Sequence, residues 1–158
     1  PGAGGAKKRW PLEYFLEVAR AVRDRGYTPV VALGPGEEKL QGDLGDSLPD
    51  ARFPLQAADA AALADEPFLT MALAQRAVAA LANDSGNAHI LAAAGVPLVV
   101  VFGSTSAEKF APVGGHVRVL RAGDYGEGLA DLPVDAVLSA LLETLESPAG
   151  ASATTSRA

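Results

Sequence analysis

No cysteine occurs in the 158 residues, which excludes disulfides and thiolate metal sites and is compatible with a reducing, cytoplasmic setting. Long apolar runs are also missing. None approaches the roughly 18–20 residues that a bilayer-spanning helix needs. No signal-peptide pattern is present, so the expected location is cytoplasmic. Histidine is scarce: His89 and His116 stand far apart with no carboxylate cluster, so no metal site is expected. Nor does any spacing support a Ser-His-Asp triad. Positive charge is outnumbered, with 13 Lys and Arg against 19 Asp and Glu, a net charge of -6 and a pI near 4.8. That balance argues against a general binder of nucleic acid or of anionic membranes, although one local basic patch is still compatible with it.

The chain is 49% hydrophobic and 20% charged, a balance that favours folding over disorder, and its length suits one domain with a real core. It opens on Pro1 rather than Met, and its first residues read like the interior of a motif. A fragment, a processed product or one half of a larger enzyme is the expectation.

Residues 1–9 are glycine-rich and basic. Trp10-Pro11 then opens a helix, where a proline in the first turn loses no needed N–H. Leu12, Phe15, Leu16, Ala19 and Val22 recur at helical spacing, and Gly26 reads as its end. Thr28 to Leu33 reads as a short buried strand followed by Gly34-Pro35-Gly36-Glu37-Glu38. Residues 39–52 carry no clear pattern. Phe53-Pro54-Leu55 reads as a short edge strand, Ala57 to Ala64 as a helix, Phe68 to Ala77 as another, and Val78 to Ala82 as a strand.

The stretch from Ala82 to Thr105 organises the rest. It holds the turn Asn83-Asp84-Ser85-Gly86, a helix over Asn87 to Ala94, a Gly95-Val96-Pro97 break, the apolar strand Leu98 to Phe102, and the loop Gly103-Ser104-Thr105. An apolar run of that kind suits a strand covered on both faces of a parallel sheet. A loop follows over Lys109 to Gly115, then a strand over Val117 to Leu120. A final helix spans Pro133 to Glu146, and residues 147–158 read as a disordered tail.

Helices alternating with short apolar strands predict an α/β, Rossmann-like parallel sheet with helices on both faces, spanning residues 1–146. Ligands of such sheets sit beyond the carboxyl ends of the strands. Gly34-Pro35, Asn83-Asp84-Ser85 and Gly103-Ser104-Thr105 all follow predicted strands and converge there. The turn before the helix combines a carboxylate, a hydroxyl and a glycine with free backbone N–H groups at a helix N-terminus, an arrangement that favours an anion, most often a phosphate.

These residues resemble the ADP-heptose:lipopolysaccharide heptosyltransferase family. The resemblance rests on Lys8-Arg9-Trp10-Pro11, Gly34 to Glu38, Asn83-Asp84-Ser85-Gly86 with His89, the Ala-Ala-Ala-Gly-Val-Pro that ends at Pro97, Val101 to Thr105, and Phe110-Ala111-Pro112. In order and spacing it runs to about residue 145. It implies one domain of a GT-B fold, the C-terminal half that binds the nucleotide-sugar donor of an inverting, metal-independent glycosyltransferase of lipopolysaccharide core or a related glycan. The donor is a substrate, and no cofactor is implied. The acceptor site and the catalytic base belong to an N-terminal domain or partner subunit with no counterpart in this chain. The chain alone would then be inactive, and any peripheral membrane association would come through the full enzyme. The glycine-rich loop Pro1 to Ala6 departs from the hydroxyl residues that relatives can carry there.

The same resemblance assigns Lys8, Ser85, Gly86 and His89 to the donor diphosphate, and Asp84, Glu37 or Glu38, and Thr105 to the donor sugar and nucleoside. Each residue has a plainer alternative. Lys8 can belong to a solvated basic run, Asp84 and Ser85 to a helix cap, Glu37 and Glu38 to a first helical turn, His89 to a structural hydrogen bond, and Thr105 to a turn. Trp10 reads as a core anchor. A non-catalytic nucleotide-binding module or a subunit of a split transferase is the rival class. A nucleotide-sugar epimerase would need an acid/base set that the sequence does not offer.

Overall fold

The computed structural model describes residues 1–3, 5, 8–34, 36–57 and 67–146. Among them, six α-helices and three strands follow in the order α1 (Leu12–Arg23), α2 (Leu40–Ser47), α3 (Pro67–Ala74), β1 (Ala80–Asn83), α4 (Gly86–Ala93), β2 (Leu98–Phe102), α5 (Ala107–Phe110), β3 (Val117–Arg121) and α6 (Val134–Glu146). Short 3-10 turns lie at Pro54–Gln56, Ala122–Asp124 and Leu129–Asp131.

The strands form a parallel sheet in the order β1-β2-β3. The register pairs Asn83 with Val101 and Phe102 with Arg121. Every residue of β2 is buried, as a central strand covered on both sides requires. Side chains alternate across a strand. Val99 and Val101 therefore enter one core with Trp10, Val18, Leu129, Leu132, Val137 and Leu141. Leu98, Val100 and Phe102 enter the other with Ala82, Ala88, Ala92 and Ala107. Helices α1 and α6 thus cover one face, while α4 and α5 cover the other. Fully burying each such valine or leucine contributes about 1.5–3 kcal/mol.

Local sequence explains the joints. Between α4 and β2, Gly95 takes φ +78°, a left-handed conformation that a side chain would strain, and so ends α4 and turns the chain into the central strand. On α1 the inward face is carried by Tyr14, Phe15, Val18 and Val22. Trp10 packs edge-on against Tyr14 and Phe15 on that side, whereas the predicted face also ran through Leu12, Leu16 and Ala19.

The structure corrects several expectations. Thr28 to Leu33 is not a strand of the sheet. It makes one isolated parallel bridge, Val30 with Arg52, in which Val31 N–H donates to the Arg52 carbonyl and Arg52 N–H to that of Pro29. Pro29 has no N–H of its own to extend the ladder. The expected edge strand at Phe53-Pro54-Leu55 is instead a 3-10 turn with Pro54 in its first position. Residues 39–52, which showed no pattern, hold α2. The loop expected from Lys109 begins with the end of α5, and β1 starts two residues later than predicted. Most of the helix expected over Ala57 to Ala64, and the tail 147–158, lie outside the described residues. Among the described residues, no helix is long and apolar enough to cross a membrane.

Candidate functional site at the carboxyl edge of the sheet

Strand β1 delivers two polar residues to the edge of an apolar sheet. Asn83, its last residue, is 1% exposed, and Asp84 follows at 7%. Buried polar groups need partners, and both have them. Asn83 Oδ1 accepts the Trp10 backbone N–H at 3.0 Å, and Asn83 Nδ2 donates to the Pro1 carbonyl. Asp84 Oδ2 accepts from Lys8 Nζ at 2.9 Å and from the Thr105 hydroxyl at 2.5 Å. The Asp84 backbone N–H donates to Val101 O at 3.0 Å, so the carboxylate is anchored to β2 directly behind it.

Three segments far apart in sequence therefore meet: the glycine-rich loop through Lys8, the end of β1 through Asp84, and the loop after β2 through Thr105. Two of the three predicted loop ends converge as expected. The third arrives by another route. Gly34 does not follow a strand of the sheet, but its N–H donates to Glu37 Oε2 at 3.0 Å. The Glu37 carboxylate lies so close to Gly2 that a Cβ there would sit 2.5 Å away. Pro1-Gly2 thus links Glu37 to Asn83. Glu38 points outward; the Gly36 N–H, its main partner, holds its carboxyl below the usual range. Pro35 lies outside the described residues.

The capping alternative for Asp84 and Ser85 is not what the structure shows. Ser85 occupies the N-cap position of α4 with extended backbone, and its side chain makes no cap hydrogen bond. The Asp84 carboxylate is engaged by Lys8 and Thr105 instead. Of the first N–H groups of α4, that of Ala88 donates to the Ser85 carbonyl at 3.0 Å, and the Ser85 side chain covers none of them. Gly86, first in α4, has nothing within 4 Å of where a Cβ would stand. His89 is exposed one turn further on and hydrogen-bonds to none of these residues. His116 is also exposed, at the opposite end of the sheet.

Among the described residues, Lys8 is the cation that this cluster holds. Its side chain is 38% exposed while that of Asp84 is 8% exposed. An ammonium carries three donors, and one is taken by Asp84. The arrangement is a buried carboxylate that holds a half-exposed cation near a helix N-terminus, and such a terminus is able to receive an anion. A cleft of about 490 Å³ adjoins it, lined by Arg9, Pro11, Gly103, Ser104, Glu127 and Leu129 among others. Two residues of its wall, Glu127 and Gly128, donate their backbone N–H groups to the Asp131 carboxylate at 2.8 and 2.9 Å.

Asn83 is the residue whose part the sequence conceals, because there it reads as one position of a turn. A signal was available, since a carboxamide closing an otherwise apolar strand must be satisfied internally.

The parallel sheet and its two helical layers define a Rossmann-like α/β domain with a polar carboxyl edge. The chain belongs to glycosyltransferase family 9 (heptosyltransferase), whose model matches residues 1–129. It is similar to lipopolysaccharide heptosyltransferase 2 of Escherichia coli K12, at 32% identity over 157 residues, covering 92% of this chain and 44% of that protein. The structure of the Escherichia coli ADP-heptose lps heptosyltransferase II superposes with a TM-score of 0.74 at 28% identity, again over 92% of this chain and 44% of that one. The fold is shared with the Escherichia coli heptosyltransferase WaaC solved with ADP, at TM-score 0.74 and 23% identity, over 90% of this chain and 42% of that one. The chain therefore spans less than half the length of the relatives it matches.

Proposed function

We propose that this chain is the donor-binding half of an inverting, metal-independent glycosyltransferase that uses an ADP-heptose-like nucleotide sugar in lipopolysaccharide core or related glycan synthesis. The observation that carries this reading is the Lys8–Asp84–Thr105 cluster beside the uncapped N-terminus of α4. A relative at 28% identity is an ADP-heptose enzyme by name, and one of the same fold was solved with ADP. The acceptor site and the general base would lie in the rest of a protein about twice this length.

The chemistry assigned to the reaction is one displacement. The acceptor oxygen bonds to the anomeric carbon from one side as the bond from that carbon to the diphosphate oxygen breaks on the other. The electron pair leaves with ADP, and the acceptor proton goes to the base on the other half. Negative charge grows on the diphosphate as the bond breaks, so groups aimed there favour the transition state over the bound substrate. Lys8 supplies a positive charge at that position. The N–H groups of Ser85 and Gly86 supply donors that need no reorganisation. Asp84, besides holding Lys8, presents oxygen to sugar hydroxyls, with Thr105 fixing its orientation. Glu37 or Glu38 serves the nucleoside, where a carboxylate accepts from ribose hydroxyls. His89, exposed one turn into α4, is assigned to the same diphosphate.

Calorimetric titration with ADP, UDP and adenosine tests this. ADP should bind saturably. Lys8→Ala should weaken ADP by about 10- to 100-fold, the span for a charge-assisted hydrogen bond, and adenosine by less than about 2-fold. Equal losses for ADP and adenosine would remove the diphosphate role from Lys8.

A further inference from the structure

We infer that Asn83 is a positioning residue for the donor site: its carboxamide holds the backbone on both sides of Lys8, at Pro1 and at Trp10. The inference rests on the donor-binding reading above, which makes no use of Asn83. The side chain is 1% exposed, so both its polar atoms must be satisfied within the protein. Its two partners are the Pro1 carbonyl and the Trp10 N–H, which bracket Lys8 in sequence. Trp10 N–H can only donate, and the Pro1 carbonyl can only accept. The amide orientation is therefore fixed by its partners, and no other side chain of this length offers both a donor and an acceptor at neutral pH.

The next residue completes the device. Asn83 fixes the backbone at Pro1 and Trp10, and Asp84 holds the Lys8 ammonium between them in sequence. Trp10 is held independently, its indole N–H donating to the Leu132 carbonyl at 3.0 Å within the α1/α6 core. Losing the Asn83 carboxamide should therefore leave Trp10 seated and release the loop before it. Lys8 would then wander from the diphosphate position, although the core stays packed.

The test uses Asn83→Leu and Asn83→Asp in the whole chain, each confirmed folded by circular dichroism. Asn83→Leu should weaken ADP by about 10-fold and adenosine by less than about 2-fold. In a Lys8→Ala background the same change should cost less than about 2-fold, because there is then no ammonium to place. Asn83→Asp keeps the acceptor and loses the donor at neutral pH. Its ADP affinity relative to wild type should recover as pH falls and the carboxyl regains a proton to give Pro1. Full additivity with Lys8→Ala, or equal losses for ADP and adenosine, would overturn the inference. A second readout needs no nucleotide. Lys8 in Asn83→Leu should react faster with an amine-labelling reagent, followed by peptide mass spectrometry, and an unchanged rate would also overturn it. A wild-type chain that binds no ADP while Lys8 labelling still rises in the variant would sink the donor reading and leave the clamp standing.

Discussion

At the carboxyl end of the sheet Lys8 meets Asp84, and toward the amino end Arg118 of β3 meets Glu143 of α6. Both contacts pair opposite charges across elements, yet their surroundings differ. Asp84 is nearly buried, accepts from Thr105 as well as Lys8, and is tied by its backbone to Val101. Glu143 and Arg118 have side chains 56% and 44% exposed, on the rim of a 280 Å³ cavity that also includes Pro97 and His116. Water screens an exposed pair, so it contributes little. A carboxylate taken out of water depends on its partners, and those partners depend on it. Charge in this domain is tied to the fold at Asp84 and only decorates the surface at Glu143.

The sharpest way to break that contrast is Asp84→Ala. It leaves the Thr105 hydroxyl and the Lys8 ammonium without their shared acceptor. The expected loss is about 2 kcal/mol of unfolding free energy, below the figure for a fully buried pair because Lys8 is half-exposed. Urea unfolding measures it, and a loss under about 0.5 kcal/mol would put the two pairs in the same class. Next in size comes Thr105→Val, which keeps the shape and removes one donor. It should cost about 1 kcal/mol in the same measurement. It should also weaken ADP less than Lys8→Ala does, since Thr105 touches Asp84 rather than carrying charge. A Thr105→Val effect on ADP as large as that of Lys8→Ala would mean that the hydroxyl itself meets the ligand.

How much of this is legible in the sequence depends on whether the signal is local. The apolar run Leu98 to Phe102 announces the central strand, and the alternation around it gives the parallel sheet with helices on both faces. The Asp84 turn and the loop at Thr105 fall at the carboxyl edge because they follow strands. What stays illegible is pairwise. Nothing in the sequence says that Asp84 spends its carboxylate on Lys8, 76 positions away, rather than on capping α4. The region from Thr28 to Leu55 misleads for a related reason. Its apolar pattern suits strands, but Pro29 and Pro54 each remove a ladder donor and leave a single bridge. Asn83 escapes a sequence reading because its role lies in two backbone partners brought in by the fold.

The smallest effect belongs to Glu143→Gln, and its pH dependence tests the surface half of the contrast. The Glu143 carboxyl is held below its usual value first by the hydrogen bond from Arg118, then by that from Ser139, with the Arg118 charge adding to both. A depressed carboxyl stabilises the fold above its unfolded value and loses that contribution as pH falls through the folded one. Any difference in urea midpoint between wild type and Glu143→Gln should therefore be present at neutral pH. It should shrink below about pH 4.5, the unperturbed value, and vanish in stronger acid. Salt near 1 M, where screening acts over about 3 Å, should erase the same difference at neutral pH and leave most of the Asp84→Ala loss in place. If the Glu143 difference survived both acid and salt, packing of its side chain rather than its charge would be responsible. The amino end of the sheet would then be bound into the fold as firmly as the carboxyl end.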